Sequence, residues 1–146
     1  MAISDSRELV IEATPSEILD VLADIESLPS WSSQYEQAEV LDTHEDGRPR
    51  QVKMTVKAAG RTDTVVTEYT WTDNSVSWAL VSSSQLKSQD AKYTLTPDND
   101  VTAVRFDMAM ELLIPIPELL LKIALKSGLN TATDGLREQV LKVKNG

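Results

Sequence analysis

The sequence predicts an α+β fold in which a curved antiparallel sheet of about seven strands wraps around a long C-terminal helix. Three observations carry this prediction. A short strand and a capped helix open the chain, a series of alternating segments follows, and the final segment changes to helical spacing. The expected order is one strand, two helices, six strands and one helix, within a single domain of residues 1–146.

The opening segment predicts a strand followed by a helix. Apolar and polar residues alternate over 9–13, as in a half-buried strand. Thr14 and Glu17 have the spacing of a capping box, in which each side chain accepts a hydrogen bond from the other residue's backbone amide. Pro15 falls at the first helical position, where its missing N–H costs nothing. The helix and a short turn then lead to Trp31.

Six further segments alternate with a period of two residues, and short polar turns separate most of them. The segments are Glu39–Asp42, Gln51–Ala58, Thr62–Thr72, Ser75–Ser82, Leu86–Thr96 and Thr102–Leu112. Strands joined by short turns pair with their neighbours in antiparallel fashion. The pattern therefore predicts a meander with one face on a core and the other in water.

The C-terminal segment predicts a long helix. Apolar residues recur at helical spacing from Pro117 to Val143, so a continuous helix would have about 28 residues and a length of roughly 40 Å. Gly128 and Gly135 are expected to bend it or to allow close packing. Its apolar stripe needs a surface, and the concave face of the sheet is the only large candidate.

Composition excludes several functions. The net charge of -9 argues against nucleic-acid binding and disfavours strong docking on anionic lipid. The chain has no cysteine, so disulfides and zinc–thiolate sites are excluded, and a cytoplasmic location is expected. Its single histidine, His44, is expected to lie in solvent in a hairpin turn, and one histidine cannot build a multi-histidine metal site. The sequence thus predicts no metal and no cofactor.

Membrane insertion is also not expected. The N-terminus lacks the basic start and apolar middle of a signal peptide. The most apolar stretch, Leu112–Leu125, is too short and too polar to span a bilayer. Its first part, Leu112–Leu121, contains two prolines and has two interpretations: an apolar lip that admits ligand or transiently touches a membrane, or a segment buried beneath loops. The sequence assigns no oligomeric state.

The opening VIEATPSEILDVLADIESLPSW, the six-strand meander and the closing helix together resemble the helix-grip proteins of the START-like superfamily (SRPBCC), also described as polyketide cyclase/dehydrase and lipid transport. The residues of the opening that fit the pattern are Ala13, Thr14, Pro15, Ala23, Asp24, Pro29 and Trp31. The resemblance covers essentially the whole chain, and the run from Pro29 to Gly60 resembles an actinobacterial branch of single-domain members. It implies an elongated apolar cavity between the sheet and the last helix.

The alternation predicts which side chains face that cavity. From the sheet and the helix these are Val56, Val65, Tyr69, Trp71, Trp78, Leu80, Tyr93, Phe106, Met108, Met110, Leu121, Leu125, Leu129 and Ala132, with Trp31 and Tyr35 near one end. Aromatic and methionine side chains suit a large, flexible apolar ligand. The alternative is that they simply fill the core. Arg61 is a candidate for an anionic head group at the mouth, whereas Arg105 is expected to form a surface ion pair.

Three functions follow from these residues. The first, which the sequence favours, is non-catalytic binding or transport of a hydrophobic small molecule such as a lipid or polyketide. The second is an aromatase/cyclase-like enzyme that uses Tyr69 or Tyr93 with bound water to move protons. The third is an interaction protein whose cavity has collapsed into core. The absence of an internal histidine and the scarcity of inward charges favour the first over the second.

Overall fold

The structure is a computed structural model that describes residues 2–32, 35–58, 61–113 and 115–146. Its strands are β1 (Ala2–Ile11), β2 (Tyr35–Thr43), β3 (Pro49–Ala58), β4 (Arg61–Thr72), β5 (Ser75–Ser82), β6 (Leu86–Asp98) and β7 (Val101–Leu112). Its α-helices are α1 (Pro15–Ala23), α2 (Leu28–Trp31), α3 (Glu118–Asn130) and α4 (Leu136–Asn145). A short 3₁₀ turn (Ile25–Ser27) precedes α2, and a π turn (Thr131–Gly135) joins α3 to α4.

The seven strands form one antiparallel sheet in the spatial order β1-β7-β6-β5-β4-β3-β2. The meander from β2 to β7 follows chain order because its connections are short, and α1 and α2 carry the chain from one edge of the sheet to the other. Register shifts interrupt the β2–β3, β4–β5 and β6–β7 pairings. Such bulges bend a strand, so they favour the curvature that lets a sheet surround a helix. The predicted helix-grip architecture is confirmed.

Two strands are longer than the sequence pattern predicted. β1 begins at Ala2 rather than near Leu9, and it pairs with β7 along its whole length. Its first half is mostly polar, so the apolar alternation that marks a half-buried strand is missing there. β2 begins at Tyr35 rather than Glu39, and a register shift just after Tyr35 breaks the period that the pattern depends on.

The predicted capping box fixes the start of α1. The Thr14 hydroxyl accepts a hydrogen bond from the Glu17 amide at 3.2 Å, and the Glu17 carboxylate accepts one from the Thr14 amide at 2.9 Å. The apolar face of the helix, which includes Ile18, Leu19 and Leu22, is buried in the core. These contacts hold α1 against the body of the protein and orient the turn that leads to Trp31.

The C-terminal helix runs from Glu118 to Asn145 as predicted, with the π turn at its centre. Most of its apolar stripe is buried, and the buried members are Leu121, Leu125, Leu129, Leu136 and Val140, but Val143 at the end of the predicted stripe is exposed. The glycine at the end of the π turn permits close packing: a Cβ atom on Gly135 would lie 3.0 Å from the carbonyl oxygen of Trp31. The π turn therefore brings the helix against the segment that follows α1.

The prediction for His44 is wrong. The residue lies in the predicted hairpin turn, where Gly47 has a φ of +88°, but its side chain is half-buried. Its Nε2 atom is 2.8 Å from the carbonyl oxygen of Tyr69, and the imidazole donates this hydrogen bond because a carbonyl can only accept. Arg105 forms the expected surface ion pairs, with Glu8 and Asp107. The predicted turn at residues 59–60 and the side chain of Arg61 fall outside the described part of the chain.

Candidate ligand-binding cavity

A cavity of about 120 Å³ separates part of the sheet from α3. We call it the outer compartment. Its walls carry eight of the side chains predicted to face a cavity: Tyr35, Val56, Val65, Met108, Met110, Leu121, Leu125 and Leu129. A void of this size is well above the 10–15 Å³ or so that holds one water molecule. The sheet and the helix therefore do not close completely on each other.

A second, smaller void of about 30 Å³ lies deeper, between the sheet, α2 and the π turn. We call it the inner compartment. It is lined by aromatic rings, and the predicted residues on its walls are Trp31, Tyr35, Tyr69, Trp78, Tyr93, Phe106, Met108 and Ala132. Tyr35, Met108 and Gly128 line both compartments. These three residues mark the boundary between the two spaces.

Local structure explains why these side chains converge. On β4, Val65 and Tyr69 are four positions apart. Side chains at even spacings along a strand share a face, so both point to the concave face of the sheet. On α3, Leu121, Leu125 and Leu129 are four residues apart and form one row along the helix. The row of leucines faces the concave side of the sheet, which makes the outer compartment apolar on both sides.

The rings of the inner compartment pack against one another. Tyr69 stacks on Trp78 with a centroid distance of 5.0 Å and an interplanar angle of 15°. Tyr93 contacts both Trp78 and Phe106, at centroid distances of 5.8 Å and 4.4 Å, and the rings of Trp78 and Phe106 also lie 5.8 Å apart. Offset contacts of this kind stabilise aromatic clusters beyond simple burial. The wall formed by these four residues is therefore rigid compared with the methionine-lined outer compartment.

Three tyrosine hydroxyls lie in or beside the inner compartment. Burial raises the pKa of Tyr35 to about 12. Burial, with a smaller contribution from Tyr35, also raises the pKa of Tyr69 and of Tyr93 well above the ordinary value. All three phenols are thus protonated at neutral pH. The Tyr93 hydroxyl donates to the carbonyl oxygen of Ala132 at 2.7 Å.

A buried indole N–H at this site lacks a partner within the described residues. The indole Nε1 of Trp31 is buried and has no hydrogen bond within the part of the chain that the structure describes. A buried N–H without an acceptor is unfavourable and uncommon in folded proteins. Trp31 lies on the wall of the inner compartment, so the unpaired donor and the void occur together.

Asp63 contributes a carboxylate to the outer compartment. Its two oxygens accept hydrogen bonds from the hydroxyl groups of Ser83 and Ser84, and one of them also accepts from the Ser84 amide at 3.3 Å. Burial alone would raise the pKa of Asp63, but these hydrogen bonds outweigh it and hold the pKa below the ordinary value of 3.8. The carboxylate is therefore ionised and already partnered at neutral pH.

Two predicted residues, Trp71 and Leu80, lie on neither wall. Trp71 shares a face with Tyr69, but it lies beyond the cavity near the β2–β3 hairpin. There its indole N–H donates to the carbonyl oxygen of Pro49 at 2.7 Å, and the Arg48 guanidinium lies over its ring at 5.3 Å. Arg48 also donates to the carbonyl of Leu19, so this end of the sheet packs against α1.

Sequence reasoning missed several wall residues of the outer compartment. They are Met54, Lys57, Asp63, Gln85, Leu86, Gln89, Leu112, Ile116, Ala124 and Gly128. Asp63 and Gln89 were detectable, because each lies an even number of residues from predicted inward positions on its strand, Val65 and Tyr93. Met54 and Leu112 were detectable in the same way, since they lie two positions from Val56 and Met110.

The segment before and within α3 exposes large apolar side chains beside the outer compartment. Leu113 is 59% exposed, Leu119 70%, Leu120 51% and Ile123 57%. Leu121, by contrast, is 4% exposed and faces the cavity. We call the four exposed residues the apolar rim.

Within the described residues, no group of three or more acidic, histidine or cysteine side chains is arranged to hold a metal ion. No helix in that part of the chain is both long enough and apolar enough to cross a membrane. The polar side chains on the walls of the two compartments, within the described residues, are phenols, indoles, amides, the hydroxyl of Ser32, one lysine and the partnered carboxylate of Asp63.

The fold and the cavity define a helix-grip protein with an internal apolar space. A family model described as "Polyketide cyclase / dehydrase and lipid transport" matches residues 3–141. The chain belongs to this family. No curated protein matches the sequence.

Solved structures with the same fold cover nearly the whole chain. A START superfamily protein from Mycobacterium smegmatis is 20% identical, with a TM-score of 0.85 and coverage of 96% of this chain and 98% of its own. The Zhui aromatase/cyclase from Streptomyces sp. R1128 is 11% identical, with a TM-score of 0.83 and coverage of 97% and 95%. A protein from Thermus thermophilus is 24% identical, with a TM-score of 0.81 and coverage of 97% and 99%. At these identities the similarity shows the fold alone.

Proposed function

We propose that this protein binds and carries a hydrophobic small molecule, of lipid or polyketide type, between the sheet and the C-terminal helix. The observation that carries the proposal is the outer compartment, an apolar void of about 120 Å³ between β-strands and α3. Each square ångström of ligand surface that leaves water contributes about 25 cal/mol. Filling the void with an apolar molecule is therefore favourable, whereas leaving it empty forfeits contacts with the walls.

We propose that the ligand contacts the apolar walls of the outer compartment. Val56, Met108 and Met110 would touch the ligand from the sheet, and Leu121, Leu125 and Leu129 from the helix. Pockets for small molecules commonly enclose about 300–1,000 Å³, so a full-sized ligand requires the walls to move. Methionine side chains adapt readily to different shapes, and Met108 lies at the boundary of the two compartments. A change of its rotamer would join the two spaces.

An aromatase/cyclase-like reaction is the alternative, and the polar groups support it less. General acid–base catalysis works best with a pKa near the working pH. The pKa of Tyr35, Tyr69 and Tyr93 is raised by burial, and the pKa of Asp63 is lowered by its hydrogen bonds. These groups can bind and orient a ligand, but none of them is poised to exchange a proton at neutral pH.

The apolar rim supports a route for the ligand. Four exposed apolar side chains lie beside the outer compartment, where they would shield a ligand that enters from a bilayer. We therefore include transient contact with a neutral membrane surface in the proposal, because the net charge of -9 opposes anionic lipid. We place this role in the cytoplasm, in keeping with a chain that has no cysteine.

Native mass spectrometry of freshly purified protein tests the carrier role. The wild-type protein should carry a co-purified apolar molecule, or should bind the neutral fluorescent probe N-phenyl-1-naphthylamine with micromolar affinity or better. Ala124 lies on the cavity wall, and an Ala124→Phe variant should lose most of this binding because its ring fills the outer compartment. Val143 is 60% exposed at the far end of the C-terminal helix, so Val143→Phe is the matched control and should bind normally. Wild-type protein that carries no co-purified molecule and does not bind the probe would refute the proposal.

A further inference from the structure

The inner compartment is uncharged. The polar side chains on its walls, within the described residues, are the indoles of Trp31 and Trp78, the hydroxyl of Ser32 and the phenols of Tyr35, Tyr69 and Tyr93. Transferring an ionised group into such a site without a counter-charge is strongly unfavourable. The part of a ligand that enters this space is therefore neutral. Charged side chains, Lys57 and Asp63, occur only on the walls of the outer compartment.

The geometry around Trp31 shows where its unpaired N–H lies. A Cβ atom on Gly135 would lie 3.5 Å from Cε3 of the Trp31 ring, so that edge of the indole faces the π turn. Nε1 is on the opposite edge of the ring. It is buried and finds no acceptor among the described residues. An indole N–H can only donate, so the missing partner is a hydrogen-bond acceptor.

The neighbouring phenols do not supply that acceptor. The Tyr93 hydroxyl donates to the carbonyl oxygen of Ala132, and although its own oxygen could still accept, no hydrogen bond joins it to the Trp31 indole. No hydrogen bond joins the Trp31 indole to Tyr35 or Tyr69 in the described part of the structure. The void of about 30 Å³ beside these groups holds roughly two water molecules or one small polar group. A water there could be displaced by a ligand oxygen.

We propose that the inner compartment recognises a ligand by a neutral carbonyl oxygen at its leading end, which accepts a hydrogen bond from the indole Nε1 of Trp31. This inference rests on the proposed carrier function and adds the ligand's class and orientation: a ketone-like group points inward, and the apolar remainder occupies the outer compartment. A carbonyl complements this indole directly, because a carbonyl oxygen can only accept and an indole N–H can only donate. A fatty acid with its carboxylate inward is excluded by the uncharged walls.

Two planar probes of nearly equal shape test the proposal. They are 2-acetonaphthone, which carries a ketone, and 2-isopropenylnaphthalene, in which a methylene group replaces the oxygen. Wild-type protein should bind the ketone about threefold to tenfold more tightly, the range expected for one buried hydrogen bond. A Trp31→Phe variant, which keeps an aromatic ring, should lose this preference, so that the ratio of its affinities for the two probes falls to about one. Trp71 donates to Pro49 outside both compartments, so Trp71→Phe should keep the preference.

A measurement on the wild-type protein makes the test independent of how well the variants fold. The ketone should move the assigned indole N–H resonance of Trp31 downfield in a ¹⁵N-correlated spectrum, and the hydrocarbon should not. The resonance of Trp71 should stay in place with either probe. Equal affinities for the two probes, or no specific shift at Trp31, would overturn this inference and leave the carrier role intact. If neither probe binds, both this inference and the carrier role are overturned.

Discussion

The hydroxyl of Tyr93 donates a hydrogen bond to the carbonyl oxygen of Ala132 at 2.7 Å, and this bond ties the centre of the sheet to the π turn of the C-terminal helix. Tyr93 is 2% exposed, so the bond forms in a region with little water. A π turn is wider than an α-helical turn and disturbs the regular pattern of backbone hydrogen bonds. The Tyr93 phenol supplies a hydrogen bond to the carbonyl oxygen of Ala132 in this turn. The contact thereby fixes how far the helix lies from the aromatic wall.

We predict that Tyr93→Phe destabilises the protein by about 1–3 kcal/mol, because the buried carbonyl of Ala132 loses its partner. Urea unfolding measures the change. Tyr69→Phe is the matched control, since no hydrogen bond joins the Tyr69 hydroxyl to another described residue, and it should cost less than about 0.5 kcal/mol. Equal losses in the two variants would contradict the role assigned to this bond.

Replacement by valine at two buried threonines should change the stability of the protein in opposite directions. Thr67 and Thr102 are both 0% exposed. The Thr102 hydroxyl donates to the carbonyl of Ala13 at 2.6 Å, whereas the Thr67 hydroxyl has no partner within the described residues. Thr102→Val should therefore destabilise by about 1–2 kcal/mol, and Thr67→Val should stabilise by up to about 1 kcal/mol. Thermal unfolding of both variants checks this, and destabilisation by Thr67→Val would show that its hydroxyl is satisfied.

Sequence periodicity predicted the faces of the strands but not the limits of the cavity. On β4 it placed Val65, Tyr69 and Trp71 on one face, and all three side chains follow that alternation. Trp71 nevertheless lies outside the cavity, where the Arg48 guanidinium packs over its ring. A period of two residues carries no information about where along a strand a cavity ends.

The orphaned indole of Trp31 shows a second limit of the sequence. The opening motif predicted a tryptophan close to the cavity, and the structure places it on the inner wall. Its packing against the C-terminal helix involves the π turn and the close approach of Gly135, which helical periodicity does not distinguish from an ordinary turn. Asp63, in contrast, shares the period of Val65, and consistent use of the alternation would have found it.

The apolar rim gives a prediction about ligand uptake. Leu119→Gln combined with Ile123→Gln should slow transfer of N-phenyl-1-naphthylamine from phosphatidylcholine vesicles severalfold, because these exposed side chains would contact the bilayer. The equilibrium affinity should not change, since neither residue lies on the cavity wall. Stopped-flow fluorescence measures the transfer. Val143→Gln alters an equally exposed residue about 30 Å along the helix and should transfer normally. Unchanged transfer by the double variant would remove the membrane contact from the proposal.

The stability of the protein should depend on pH through Asp63. Hydrogen bonds from Ser83 and Ser84 hold the pKa of Asp63 in the folded state below 3.8, its ordinary value in an unfolded chain. A lowered folded pKa means that the carboxylate stabilises the fold above pH 3.8, and that this stability is lost as the pH falls through the folded pKa. Asp63→Asn should therefore lower the melting temperature at pH 7 and have a smaller effect near pH 3.

The expected size of this effect at pH 7 is about 2 kcal/mol, because an amide nitrogen would replace one of the two oxygens that accept from Ser83 and Ser84. Melting curves of wild type and variant from pH 7 to pH 3 give the comparison. Asp73 lies exposed in the β4–β5 turn, and Asp73→Asn should change stability by less than about 0.5 kcal/mol. If the difference in melting temperature between Asp63→Asn and wild type stayed constant from pH 7 to pH 3, the stabilisation by the serine hydrogen bonds would not depend on the ionised carboxylate.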